Sequence, residues 1–324
     1  MALSVESVAS YIRTERSERA NGQRYIADFT ARQRLVNEYV VDFAASDLDP
    51  GAICIDACAG PEGSMLAATL RQYTWIGNDI SGEFTRHLKQ TGAESVVMSD
   101  FAQSPFLSDS TDAVFFIFAL HSVVQHDDAI RQAYRIAKVG GKAIIADPGP
   151  SMWITRIITQ ALIDETGIGS QFQAKRQDNT SIASFFANKP YTLQEYASYY
   201  LYYSLGMSLD SLYGVFEDIT AQSKKFKHVQ FAMQNLISES YYKHIISIGQ
   251  SAGFDVEKIG LLPIGQGVDQ FDWHVDMPFE INVSDWGDHF YALRSGAAYM
   301  LPFISDKVFH AQKRITVPII SLVK

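Results

Sequence analysis

The chain has 324 residues, of which 27 are basic and 36 acidic, giving a net charge of −9, and 12% are aromatic. That length allows one catalytic domain with sizeable additions. The acidity, with no Lys or Arg run longer than pairs such as Lys224-Lys225, disfavours a nucleic-acid substrate, because phosphate contacts need a basic surface.

The elements follow in chain order. Residues 1–48 read as an N-terminal helical arm of two helices, one with Val8, Tyr11 and Ile12, the other with Phe29, Leu35, Val36, Tyr39 and Phe43. Met1 to Ala20 holds several charges and no long apolar run, which argues against a signal peptide or a membrane span. The run from Ala52 then breaks at Gly60 into Gly60-Pro-Glu-Gly63, predicting a strand, a tight turn and a helix over roughly 62–72. Apolar runs ending in Asp79, Asp100 and His121 come next. From Asp56 the intervals are 23, 21 and 21 residues, the pitch of consecutive βα units. Each of these groups is therefore expected at the carboxyl edge of a parallel sheet, where open α/β folds bind ligands. Cys54 and Cys58, four strand residues or about 13 Å apart, are too distant for a disulfide. Two cysteines in a chain of this length fit a reducing, cytoplasmic interior.

The letters Cys58-Ala-Gly-Pro-Glu-Gly63 do not meet the G-x-G-x-x-G dinucleotide fingerprint, which disfavours a nicotinamide oxidoreductase. The ordered series does resemble the class I, Rossmann-like S-adenosylmethionine-dependent methyltransferase family. The resemblance is carried by Asp56, Cys58 (in place of a usual glycine), Gly60 and Gly63, then Asp79, Asp100-Phe101, the strand Asp112 to Ser122, and Val139-Gly-Gly-Lys-Ala-Ile-Ile-Ala-Asp147. It covers roughly residues 50–150. It implies an α/β fold: a three-layer, mostly parallel seven-stranded sheet with an N-terminal helical arm and an inserted helical lid. It also implies S-adenosyl-L-methionine as cofactor, held by Asp56, Ala57, Cys58, Gly60, Asp79, Ile80, Asp100, Phe101, Ala119 and His121. On this resemblance Asp79 holds both ribose hydroxyls, a task suited to two acceptor oxygens, while Asp100 meets the adenine amino group and Phe101 packs on the ring.

After Asp147-Pro-Gly-Pro150 the chain reads as a helix from Met152 to Thr166 and a polar link to Thr180. A tyrosine-rich segment follows from Tyr191. The expected domains are a core over 49–167 and 235–294, a helical lid over 168–234, and an appendage or last strand over 295–324. A helix over Ser238 to Phe254 and a strand over Val256 to Leu262 resume the core. Both His289 to Arg294 and Ile315 to Lys324 read as the final strand; Pro318 in the second argues for an edge position, and the first is favoured.

Methyl transfer needs a nucleophile held in line with the S–CH3 bond and, where it carries a proton, a base. His121, at the strand edge, is the first candidate; His126, His274 and His289 are others, and His126 also reads as a helix start. Asp147 could position a substrate amine or hydroxyl, although Asp-Pro-Gly-Pro is also a plain turn. No zinc-type spacing occurs, so no metal is expected, and Asp269 to Asp276 with His274 reads as a polar loop. The aromatic content outside the core suggests a small, largely apolar or aromatic metabolite, as in secondary metabolism, methylated at oxygen, nitrogen or carbon. The alternative keeps the cofactor but performs a cyclisation, decarboxylation or rearrangement. No membrane partner is expected, and residues 295–324 could pack on a second subunit of a homodimer.

Overall fold

The computed structural model describes residues 7–8, 11, 30–60, 72–90, 95–123, 125–147, 149–150, 152–167, 179–222, 226–266, 273–275, 279–281 and 314–324. The chain divides into a sheet unit (Glu15–Pro148, Ile245–Trp286 and His310–Lys324) and a second unit (Met1–Thr14, Gly149–His244 and Gly287–Phe309). Among the described residues, no helix is long and apolar enough to cross a membrane.

The sheet unit contains α1 (Thr30–Ala44), β1 (Ile53–Ala57), β2 (Thr74–Asp79), α2 (Gly82–Gln90), β3 (Val96–Met98), β4 (Thr111–Ile117), α3 (His126–Ile136) and β5 (Ala137–Ala146). Its later strands are β6 (Asp255–Gln266), β7 (Trp273–Val275), β8 (Phe279–Ile281) and β9 (Arg314–Val323). Seven strands run in the order β3-β2-β1-β4-β5-β9-β6, and the two short strands β7 and β8 both pair with β6. β1 to β5 are mutually parallel, while β9 lies antiparallel between β5 and β6. This is the Rossmann-like, mostly parallel arrangement. β4 is central, with Val114, Phe115 and Phe116 fully buried, as a strand covered on both faces requires.

α1 is the second helix read in the N-terminal arm. Its Val36, Val40, Val41 and Ala44 join Cys54, Phe115, Ile144, Leu262 and Ile319 in one core cluster, so this helix is part of the sheet's packing. Lys142, in β5, is almost buried and donates to Asp47 and to Glu257, each at 2.8 Å. Ser321 of β9 donates to the other Glu257 oxygen at 2.6 Å, which ties β5, β6 and β9 together.

The strand between β5 and β6 is Arg314–Val323, which corrects the preference for His289 to Arg294; that segment lies outside the described residues. Ile319 is the last residue of β9 registered with β5, so at Pro318 the strand has a neighbour only on its β6 side, opposite Leu261. A proline is tolerated where one flank has no ladder to complete. A second correction concerns His274, expected in a polar loop, which sits in β7 opposite Gly265.

The second unit is helical: α4 (Met152–Thr166), α5 (Asn179–Phe186), α6 (Leu193–Leu205), α7 (Tyr213–Gln222) and most of α8 (Phe226–Ala252). α8 begins twelve residues before the helix read at Ser238 and runs unbroken into the sheet unit. α6 opens with a reciprocal Thr192/Glu195 capping box and closes at Gly206, in the left-handed conformation at φ 62°. A Cβ at Gly206 would also lie 2.7 Å from the His244 ring, so only glycine fits there. Tyr191, Tyr196, Tyr199 and Tyr200 are buried, and successive ring contacts run Phe186, Tyr191, Tyr196, Tyr199 and Tyr203. Most of this tyrosine segment is the core of its own helical unit, while Tyr202 is exposed.

Candidate active site

The carboxyl ends of β1 and β4 carry three backbone features typical of a ligand-facing rim. Cys58 and Phe118, neither a glycine, have φ of 58° and 50°, and Gly60 has φ 59°. Left-handed non-glycine residues cost about 1–2 kcal/mol each and gather where function over-determines the backbone. Cys58 thus adopts the conformation that a glycine at its place would adopt freely.

Asp79 closes β2. One of its oxygens accepts the Gly60 N–H at 2.9 Å and the other the Ser81 N–H at 2.7 Å, so the turn after β1 is pinned to the end of β2. Two carboxylate oxygens offer about four acceptor sites, so these bonds do not exhaust them. Asp79 is only 6% exposed, and no cation among the described residues pairs with it. Burial raises its pKa above the ordinary carboxylate range, against the pull of the Ser81, Gly60 and Ile80 N–H groups. Ile80, next in the chain, is half exposed at the rim.

Asp100 follows β3 and caps a short 3-10 turn by accepting the Ala102 N–H at 3.1 Å. Phe101 is buried edge-on against Phe116, with ring centroids 5.2 Å apart. Its ring therefore belongs to the core beneath the turn. Two residues that were not read from the sequence hold this loop. Asn78, a polar residue inside an apolar strand, donates to Ser99 Oγ at 2.7 Å, and Arg135 of α3 donates to the Phe106 carbonyl at 2.8 Å. A fully buried amide in a strand was the available signal for Asn78.

Asp56 and Ala57, at the end of β1, are both buried, as is Ala119 after β4. Burial raises the Cys58 thiol pKa far above its usual value, and the nearby carboxylates of Asp79, Asp56, Asp100 and Asp147 push it the same way. Asp56, Asp79 and Asp100, at or just past the ends of β1, β2 and β3, thus make the electrostatic surroundings of this turn negative. A cationic ligand, or one rich in hydroxyl and amino donors, fits such a rim; S-adenosylmethionine is both. Both cysteines are free thiols. The turn at 61–63 and the helix read over 62–72 fall almost wholly outside the described residues.

Two candidates read separately from the sequence come together. His121 lies in a 3-10 turn, Leu120–Ser122, and Asp147 follows the last residue of β5. Because Ile117 is registered with Ala146, the turn after β4 folds directly onto Asp147. Asp147 Oδ2 accepts the His121 backbone N–H at 3.0 Å and lies 2.9 Å from His121 Nδ1. The carboxylate is fully buried, whereas the His121 side chain is 32% exposed. His126 is also brought into the fold as the first residue of α3, but is completely buried. His289 lies outside the described residues, and among those described no group of acids, histidines and cysteines could hold a metal ion.

Residues 55–145 match the family described as "Methyltransferase domain". No curated protein matches the chain. Among solved structures it is similar to a Bacillus halodurans protein described as a candidate methyltransferase, with 12% identity over 89% of this chain and 98% of that one, at a TM-score of 0.43. It is also similar to the Burkholderia thailandensis 1,6-didemethyltoxoflavin-N1-methyltransferase solved with 1,6-didemethyltoxoflavin and S-adenosylhomocysteine, with 16% identity over 47% and 67% of the two chains, at a TM-score of 0.37. A third likeness is to a chain of the Haloferax volcanii complex between the Trm112 methyltransferase activator and a methyltransferase, with 19% identity and a TM-score of 0.35; the match covers 45% of this chain and 62% of that one. At these TM-scores the likenesses bear on neither substrate nor activity. The matched residues lie within the sheet unit, whose strand order is the Rossmann-like, mostly parallel one.

Proposed function

We propose that this chain transfers a methyl group from S-adenosylmethionine to a small, largely apolar or aromatic metabolite. The observation that carries the proposal is Asp79: a buried carboxylate at the end of β2, held by backbone N–H groups that leave part of its acceptor capacity unused. Two neighbouring ribose hydroxyls are the donors it suits. Asp100 and the rim beside it would take the adenine end, and Asp56, Ala57, Cys58 and Gly60 the methionine end. When bound, the cofactor supplies an already activated methyl group.

The chain's own residues then have three tasks: to hold the acceptor in line, to exclude water and to take up a proton. His121 is our candidate for the last task, since its ring is partly exposed at the strand edge that carries the acids. We assign the exclusion of water to the segment 168–234, read from the sequence as a helical lid. Hydrogen exchange equally slow in that segment with and without ligands would remove the lid from the account. The net charge of −9 supports a small-molecule acceptor over a nucleic acid.

The test uses S-adenosylmethionine with a deuterated methyl group, incubated with the protein and candidate metabolite extracts, and mass spectrometry of the products. A product carrying the label supports the proposal, and His121→Ala should lower its formation by about 10²-fold while cofactor affinity holds. Intact cofactor binding with conversion of a metabolite to an unlabelled product would favour a non-methylating reaction instead.

A further inference from the structure

We propose that Asp147 is a positioning residue that fixes His121 as its Nδ1–H tautomer and so presents Nε2 as the proton acceptor, an inference that rests on the methyl-transfer reading above. A single carboxylate oxygen, Oδ2, meets both the backbone N–H and the ring Nδ1 of the same histidine, at 3.0 and 2.9 Å. An ionised oxygen can only accept, so a ring nitrogen that close carries the hydrogen. The remaining nitrogen, on the far edge of the ring, is left with its lone pair, and that side chain is partly exposed while Asp147 is entirely buried.

The backbone bond matters as much as the ring bond. It joins the Val123-to-Leu120 and Phe118-to-Ala146 backbone bonds in holding the turn that carries His121, so the same acid helps to hold the turn and orients the ring. The arrangement follows from the strands: β4 and β5 end in register at Ile117 and Ala146, which puts Asp147 beside the turn without a linker. A buried acid that orients a histidine and selects its tautomer is the same physical device used wherever a neutral imidazole must act as a base. Asp147 touches neither acceptor nor cofactor in this role. It acts through His121.

The test is a two-bond 1H–15N correlation spectrum of the histidine rings, recorded at mildly alkaline pH where imidazole is neutral, with His121 assigned from the His121→Gln variant. The wild-type chain should show His121 protonated at Nδ1, the reverse of the preference of an unconstrained histidine. Asp147→Ala should move the proton to Nε2. Asp147→Asn, which keeps a carbonyl acceptor for both bonds, should retain the Nδ1–H form. A wild-type His121 protonated at Nε2 overturns the inference, and so does an Asp147→Ala spectrum that still shows Nδ1–H. The wild-type spectrum decides by itself if Asp147→Ala fails to fold. Titration of the same samples with S-adenosylhomocysteine separates the two readings: binding together with Nε2–H sinks the tautomer assignment alone, and Nδ1–H without binding sinks the cofactor assignment alone.

Discussion

Replacing Asp79 by alanine removes the group on which the cofactor assignment turns, and its consequences can be worked from the contacts it makes. In the free protein the carboxylate accepts the Gly60 and Ser81 N–H groups at 2.9 and 2.7 Å. Their loss leaves two donors to find water, a cost of about 1–3 kcal/mol each if they stay buried. Against this, burial already disfavours the Asp79 charge, so its removal relieves a desolvation penalty of the same order. The net change in stability should therefore be small. Binding has no such offset. Two ribose hydroxyls donating to an ionised acid form charge-assisted bonds, and their loss should weaken S-adenosylhomocysteine by about 2–4 kcal/mol in all, roughly 30- to 700-fold. Calorimetric titration measures this directly, with a denaturant melt on the same samples to confirm folding. A folded Asp79→Ala chain with wild-type affinity would refute the reasoning.

Acidity should act on the same contact: Asp79 must be ionised to accept both hydroxyls and its pKa is raised, so affinity should fall as pH drops through a value above the usual carboxylate range of about 4. Affinity flat down to that range, once the ligand's own titration is subtracted, would contradict this. At Cys58, with φ 58°, Cys58→Gly should be about 1 kcal/mol more stable than Cys58→Ala in denaturant unfolding, because only glycine occupies that conformation freely; alanine equal to glycine would speak against the strained turn. Lys142→Met should destabilise the sheet unit by about 2 kcal/mol, since it strips the almost buried ammonium from Asp47 and Glu257, whose own exposure keeps the loss below that of a fully buried pair. An unchanged unfolding midpoint would show that the ion pairs contribute nothing net.

Periodicity made the sheet legible because its cause is local. Each βα unit repeats at 21 to 23 residues, and the acids at Asp56, Asp79 and Asp100 sit at strand ends in both the sequence pattern and the fold. What depended on pairing between strands was hidden. Neither His121 nor Asp147 indicates alone that the other is within 3 Å; that follows from the register of Ile117 with Ala146. The last strand was misjudged for the same reason, as Pro318 is acceptable only because β5 pairing ends at Ile319. The role of α1 as sheet packing was obscured because its apolar residues satisfy any helix with one buried face, whether that face meets a sheet or a ligand. The partner of Asn78, Ser99, lies 21 residues away on the loop after the neighbouring strand, a pairing that no local pattern in the apolar run shows.

Titration of the wild-type chain with S-adenosylhomocysteine and, separately, with a nicotinamide dinucleotide tests the central assignment most directly. The acids of the rim and the turn at Gly60 predict saturable, one-to-one binding of S-adenosylhomocysteine and none of the dinucleotide. Binding of the dinucleotide, or no heat from S-adenosylhomocysteine with a protein shown to be folded, would contradict it.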